Sequence, residues 1–175
     1  HPTTSSNGMV VSQNALSSNI GTQILDMGGN AVDAAVAVGF SLATTLPRAG
    51  NLGGGGFMLV YIKDKNEIFY IDYRSKSPRN SSIEKLFGVK KIPERNSKLW
   101  ERVDYTYLAS GVPGTVYGLL EAHKNFGVLT LEQIMQPVIE QAENGIAVSS
   151  DLNYVIDVTP QLRSDPESFS IFFDN

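Results

Sequence analysis

A chain of 175 residues with 42% hydrophobic and 18% charged residues fits one domain with a sizeable core, which excludes intrinsic disorder. Its net charge of -4 leaves no basic footprint for nucleic acid, and the absence of cysteine excludes disulfide and thiolate chemistry. No apolar run approaches the roughly 20 residues that span a bilayer. Two distant histidines without cysteine do not make a zinc site, so no metal is expected.

The start, from His1 to Gly8, reads as a polar leader. Thr3 and Thr4 are not terminal, so neither has the α-amine that an N-terminal threonine nucleophile uses as its base. Met9–Ser12 is predicted as a short strand. Asn14 or Ser12 caps a helix running to about Met27, with Leu16, Ile20, Ile24 and Leu25 at helical spacing and Gly28-Gly29 as its stop. Asn30 reads as the N-cap of a second helix, Ala31 to about Leu46, with Asp33 in its first turn, where a carboxylate favours the dipole. That helix is apolar almost all round, which predicts burial on most sides. Pro47 ends it.

Gly53 to Gly56 remove Cβ from four consecutive positions, and Phe57 then opens an apolar segment. Such a run serves either positive φ or a close approach of other backbone. Phe57–Ile62 and Glu67–Tyr73 are predicted as a hairpin turning at Lys63–Asn66. The first of these strands is apolar on both faces, which predicts a sheet covered on both sides. Arg74 follows at the strand end. Residues 79–106 are polar and receive no assignment. Gly111–Gly114 opens a helix from Thr115 to about Asn125, with His123 on a solvated face beside Glu121 and Lys124. Thr130 and Gln133 form a capping box. The helix it opens presents Leu131, Ile134, Met135, Val138, Ile139 and Ala142 on one face and should kink at Pro137. A short helix from Ser150 to about Val158 follows.

The glycine run fails as a phosphate cradle. A P-loop needs Lys-Ser/Thr and a helix after its last glycine, whereas Phe57 and a strand follow here. A dinucleotide fingerprint places its glycines after a strand, and the order here is reversed. No Gly-x-Ser-x-Gly elbow occurs. Arg74 has two readings: a guanidinium that grips a carboxylate bidentately, or a surface arginine paired with Asp72 or Glu67.

The segments Gly8-Met9-Val10-Val11-Ser12, Gly28-Gly29-Asn30-Ala31-Val32-Asp33-Ala34-Ala35-Val36-Ala37, Gly50-Asn51-Leu52-Gly53-Gly54-Gly55-Gly56-Phe57-Met58, Asp72-Tyr73-Arg74 with Pro78, Ala109-Ser110-Gly111-Val112-Pro113-Gly114-Thr115-Val116, and Gln136-Pro137 through Ala142 and Gly145 occur in one order along nearly the whole chain. Together they resemble the γ-glutamyltranspeptidase family of N-terminal-nucleophile hydrolases.

The resemblance implies an α+β fold, the four-layer αββα sandwich, of which residues 1–175 would be a single segment, the front part of the large subunit. It implies a precursor that cuts itself in two. The new N-terminal Thr of the small subunit attacks the γ-glutamyl amide of glutathione or a related donor, and the glutamyl group passes to water, an amino acid or a peptide. It implies the small subunit as partner, no cofactor, and a periplasmic or secreted location. Only one role carries over by residue: Arg74, as the arginine that holds the α-carboxylate of the γ-glutamyl group. Ser75 stands where the family usually has Glu. The nucleophile motif does not occur in this sequence, so the segment alone is expected to be inactive. An acylase or polyglutamate depolymerase of the same fold, or a non-catalytic binding relative, are the alternatives. On this view the glycine run neighbours the nucleophile-bearing chain, and Gly54→Val should impair folding or self-cleavage.

Overall fold

In the computed structural model, which describes residues 4–101, 103–104 and 106–173, α1 (Ala15–Asp26) starts at its cap, Asn14, whose Oδ1 accepts from the Leu16 N–H at 2.8 Å. It ends in a Schellman turn: the Gly28 N–H donates to Leu25 O and the Gly29 N–H to Ile24 O, both at 3.0 Å, with Gly28 at φ +91°. The predicted strand Met9–Ser12 is instead irregular. A strand needs a neighbour to accept its ladder bonds, and no strand among the described residues pairs with it.

α2 (Ala31–Thr45) is the central helix, packed against α1, α5 (Thr115–Phe126) and α6 (Leu131–Asn144). Its apolar circumference is explained by that position: Val32, Ala34, Val36, Ala37, Val38 and Phe40 are all buried. Three hydroxyls are buried among these helices. Ser17 Oγ lies 2.7 Å from Ser41 Oγ and 2.8 Å from Thr45 Oγ1, and Ser41 Oγ donates to Gln141 Oε1 at 2.7 Å. Each polar atom is satisfied by another, which fixes the register of α1, α2 and α6 more sharply than aliphatic packing does.

Asp33 is fully buried. It completes the capping box with Asn30, whose N–H donates to Asp33 Oδ2 at 3.0 Å. It also reaches across the fold, accepting from the Val128 N–H at 3.1 Å and the Leu129 N–H at 3.4 Å. His123 joins it. Far from lying on a solvated face, its side chain is 15% exposed, with Nε2 donating to Leu129 O at 2.9 Å and standing 3.7 Å from Asp33 Oδ1. A Cβ on Gly127 would meet Asp33 Oδ1 at 2.6 Å, so the turn between α5 and α6 can close on Asp33 only with glycine there.

α6 opens with the predicted Thr130–Gln133 capping box and continues through Pro137 to Asn144. Its inner face differs from the expected one. Ile134, Pro137 and Val138 are buried, whereas Leu131, Ile139 and Ala142 are exposed, because α2 and α1 cover only the stripe that Gln141 shares.

β1 (Phe57–Ile62) and β2 (Glu67–Asp72) pair antiparallel from Phe57↔Asp72 to Ile62↔Glu67. One face, Met58, Val60, Ile62, Phe69 and Ile71, packs on the helical core, with the Phe69 and Phe126 rings 4.9 Å apart. The other face is bare. Phe57, Leu59, Tyr61, Ile68 and Tyr70 are 58–73% exposed. Among the described residues, the expectation of a sheet covered on both sides is therefore met on one side only.

The described residues divide into two compact units, one of residues up to Lys76 with Pro113–Ile146, the other of Ser77–Val112 with residues from Ala147 onward. In the second, the unassigned stretch contains α3 (Ile83–Phe87) and α4 (Lys98–Glu101), and a 3-10 turn at Tyr107–Ala109 follows it. Phe87 and Trp100 meet edge to face at 4.7 Å, and Arg95 lies 4.4 Å over the Trp100 ring. α7 (Ser150–Asp157) follows the predicted span, and α8 (Pro160–Ser164) and α9 (Pro166–Phe172) each begin on a proline, the residue best suited to the first helical position.

Candidate functional site

The glycine run lies in the first unit, between the end of β2 and the start of α5. β2 pairs one residue past its end: the Tyr73 N–H donates to Gly56 O at 3.1 Å, and the Gly56 N–H to Tyr73 O at 3.3 Å. On its other side the run serves the helix. Gly54 O accepts from the Gly114 N–H at 2.8 Å and the Thr115 N–H at 3.2 Å. The N-cap of α5 is Gly114, which has no side chain to satisfy the first N–H groups, so the run's carbonyl takes that part.

The four glycines are not equivalent. A Cβ on Gly53 or Gly54 would meet nothing nearer than 3.4 Å. On Gly55 it would strike Tyr73 O at 2.6 Å, Arg74 C at 2.9 Å and the Ser75 N, and on Gly56 the Tyr73 ring at 2.8 Å. None of the four has positive φ. Gly55 and Gly56 therefore serve close approach, and the backbone that approaches Gly55 among the described residues is Tyr73–Ser75. Within the described residues the crowded position of the two is Gly55, and Gly54 has room for a methyl group. Gly55→Ala is expected to destabilise the intact protein by about 1–3 kcal/mol through overpacking, while Gly54→Ala stays near neutral. Equal denaturation midpoints for the two variants would remove the close-packing account.

Two more glycines converge on the same residue. A Cβ on Gly114 would strike the Tyr73 carbonyl, and one on Gly118, inside α5, the root of the Tyr73 ring. Burial raises the Tyr73 phenol above its ordinary pKa, so the ring stays neutral in its seat. Sequence reasoning passed over Tyr73, Gly114 and Gly118. The available signal was Gly118 itself, a glycine inside a helical pattern, which usually has a packing reason.

Arg74 is exposed. Its N–H donates to Asp72 Oδ1 at 2.9 Å, and its side chain makes no hydrogen bond or ion pair with the described residues. The pairing with Asp72 or Glu67 considered for it is absent: Asp72 engages its main chain only. The result is an unpaired guanidinium on a strand end whose backbone is held on both sides, an arrangement suited to an anionic ligand. Among the described residues, no three His, Asp or Glu side chains cluster to hold a metal ion, and no helix is long and apolar enough to cross a membrane.

The family model for γ-glutamyltranspeptidase matches residues 17–175. The chain is 41% identical over 152 residues to the glutathione hydrolase proenzyme of Escherichia coli K12, an alignment covering 87% of this chain and 25% of that protein. It is 36% identical over 168 residues to the acylase ACY 1 proenzyme of a Pseudomonas species, covering 94% and 30% respectively. Among solved structures, the γ-glutamyltranspeptidase of Helicobacter pylori superposes with a TM-score of 0.86 at 34% identity, over all of this chain and 49% of that one. The chain thus spans under a third of the length of these curated relatives.

Proposed function

The chain belongs to the γ-glutamyltranspeptidase family, and from that premise we propose that it is the front part of the large subunit of a γ-glutamyl transferase/hydrolase. Its fold is a partial N-terminal-nucleophile hydrolase fold of the α+β class. The observation that carries the reading is Arg74: an exposed guanidinium without a partner among the described residues, on backbone wedged between the glycine run and α5. In the proposed reaction it grips the α-carboxylate of a γ-glutamyl donor such as glutathione through two parallel N–H···O bonds, which fixes the donor's γ-carbonyl in one place.

The remaining chemistry belongs to residues outside this sequence. A small-subunit threonine hydroxyl adds to the γ-carbonyl, and the amide bond to the leaving amine breaks as that amine takes up a proton. Water or the amine of an amino acid or peptide then displaces the threonine oxygen. The bare sheet face of Phe57, Leu59, Tyr61, Ile68 and Tyr70 supports a further layer supplied by such a partner, since apolar surface of that extent is rarely left in water. Processing of a precursor into the two subunits, and action in the periplasm or outside the cell, belong to the same proposal.

The test is to express the full reading frame, follow self-cleavage by electrophoresis, and assay release of p-nitroaniline from γ-glutamyl-p-nitroanilide with and without an acceptor dipeptide. We expect two fragments and turnover that rises with acceptor. An intact chain with no turnover would overturn the proposal. The similarity to an acylase proenzyme favours a second reading. Turnover of acyl anilides lacking an α-carboxylate, with none of the γ-glutamyl anilide, would select it.

A further inference from the structure

Arg74 is held by residues that do not touch a ligand themselves. Tyr73 is contacted by Gly55 and Gly56 from the run and by Gly114 and Gly118 from the start of α5. Glycine within a helix is disfavoured against alanine, so Gly118 needs a reason, and the three atoms nearest to where its Cβ would stand all belong to the Tyr73 side chain. The ladder bonds between Tyr73 and Gly56 fix the main chain just before Arg74. Asp72, exposed at the strand end, accepts from the Arg74 N–H at 2.9 Å. Ring seat, ladder rung and carboxylate together leave the Arg74 side chain as the free part of this turn.

We infer that Tyr73 and Asp72 are positioning residues for the Arg74 carboxylate clamp. The inference rests on the clamp reading proposed above. A guanidinium binds a carboxylate bidentately only when its plane and distance are right, and a planar fork cannot adapt as a flexible ammonium does. The glycine-lined seat sets where the fork starts, and Asp72 sets the direction in which the main chain carries it.

The test uses the intact, self-processed protein and γ-glutamyl-p-nitroanilide. A misaligned fork forfeits one of its two charge-assisted hydrogen bonds, so Tyr73→Ala and Asp72→Ala should raise donor KM about tenfold or more, with kcat within about threefold. Tyr73→Phe, which keeps the ring, and Asp72→Asn, which keeps an acceptor, should restore the KM. In an Arg74→Lys background, Tyr73→Ala should add little, because its effect passes through the guanidinium. Fully additive effects in that background would overturn the inference, as would an unchanged KM in Asp72→Ala and Tyr73→Ala while Arg74→Lys raises it. Should Tyr73→Ala fail to fold or process, Asp72→Ala decides alone, since its side chain is exposed and supports no packing. If Arg74→Lys itself leaves donor KM unchanged, the clamp reading falls and takes this inference with it.

Discussion

Asp33→Ala is expected to destabilise the protein by about 3–5 kcal/mol. The carboxylate is fully buried and accepts from the N–H groups of Asn30, Val128 and Leu129. Its removal orphans three donors in a part-buried pocket, at roughly 1–3 kcal/mol for each that water cannot reach. The capping box of α2 loses only its reciprocal half, the Asn30 N–H already counted, because Asn30 Oδ1 still accepts from the backbone N–H groups at positions 32 and 33. His123, 3.7 Å from Asp33 Oδ1, keeps its bond to Leu129 O and so cannot replace the missing acceptor. Asp33→Asn should fall between, since it retains one acceptor oxygen but turns an amide NH2 toward donors. Urea denaturation of the intact protein reads both variants. A midpoint unchanged in Asp33→Ala would mean that water satisfies these groups and that the buried carboxylate holds nothing together.

Arg74→Lys is expected to cost the intact enzyme on the order of 2–4 kcal/mol of donor binding, roughly a thirty- to several-hundredfold rise in donor KM. The charge survives this substitution. What disappears is the planar fork and its second hydrogen bond, so the loss reports geometry rather than net attraction. The effect belongs in donor KM because the α-carboxylate is gripped equally before and during the chemical step, and uniform binding leaves kcat nearly unchanged. Acceptor dependence should not change. An unaltered donor KM would remove Arg74 from the site. Ser75 stands beside it where the resemblance leads one to expect a glutamate, and its N lies against Gly55. Arg74 therefore has no carboxylate directly after it in sequence, and its main-chain N–H is held by Asp72.

Local features were legible in the residues themselves. Asn30 and Thr130 cap the helices they were expected to cap, and Asn14, one of two candidates with Ser12, caps α1, because a capping side chain reaches only two or three residues along its own chain. The hairpin turns at Lys63–Asn66, and Gly28 ends α1, for the same local reason. The strings around the glycine run and α2 were enough to point to the family, which the match over residues 17–175 shows.

Less legible was everything whose partner lies far along the chain. Asp33 reads as a helix-start carboxylate, yet two of its hydrogen bonds reach residues 95 and 96 positions away. His123 reads as a solvated helix residue for the same reason. Met9–Ser12 has the composition of a strand but finds none to pair with among the described residues.

Residue order alone thus determined the caps, the hairpin, the buried character of α2, and the candidacy of Arg74. Tertiary structure decided which glycines matter and why: Gly55 and Gly56 from one segment, Gly114 and Gly118 from another, all close on Tyr73. A missing Cβ shows in a sequence only as permission for close approach. What uses that permission is set by packing between segments some sixty residues apart, and no local propensity encodes it.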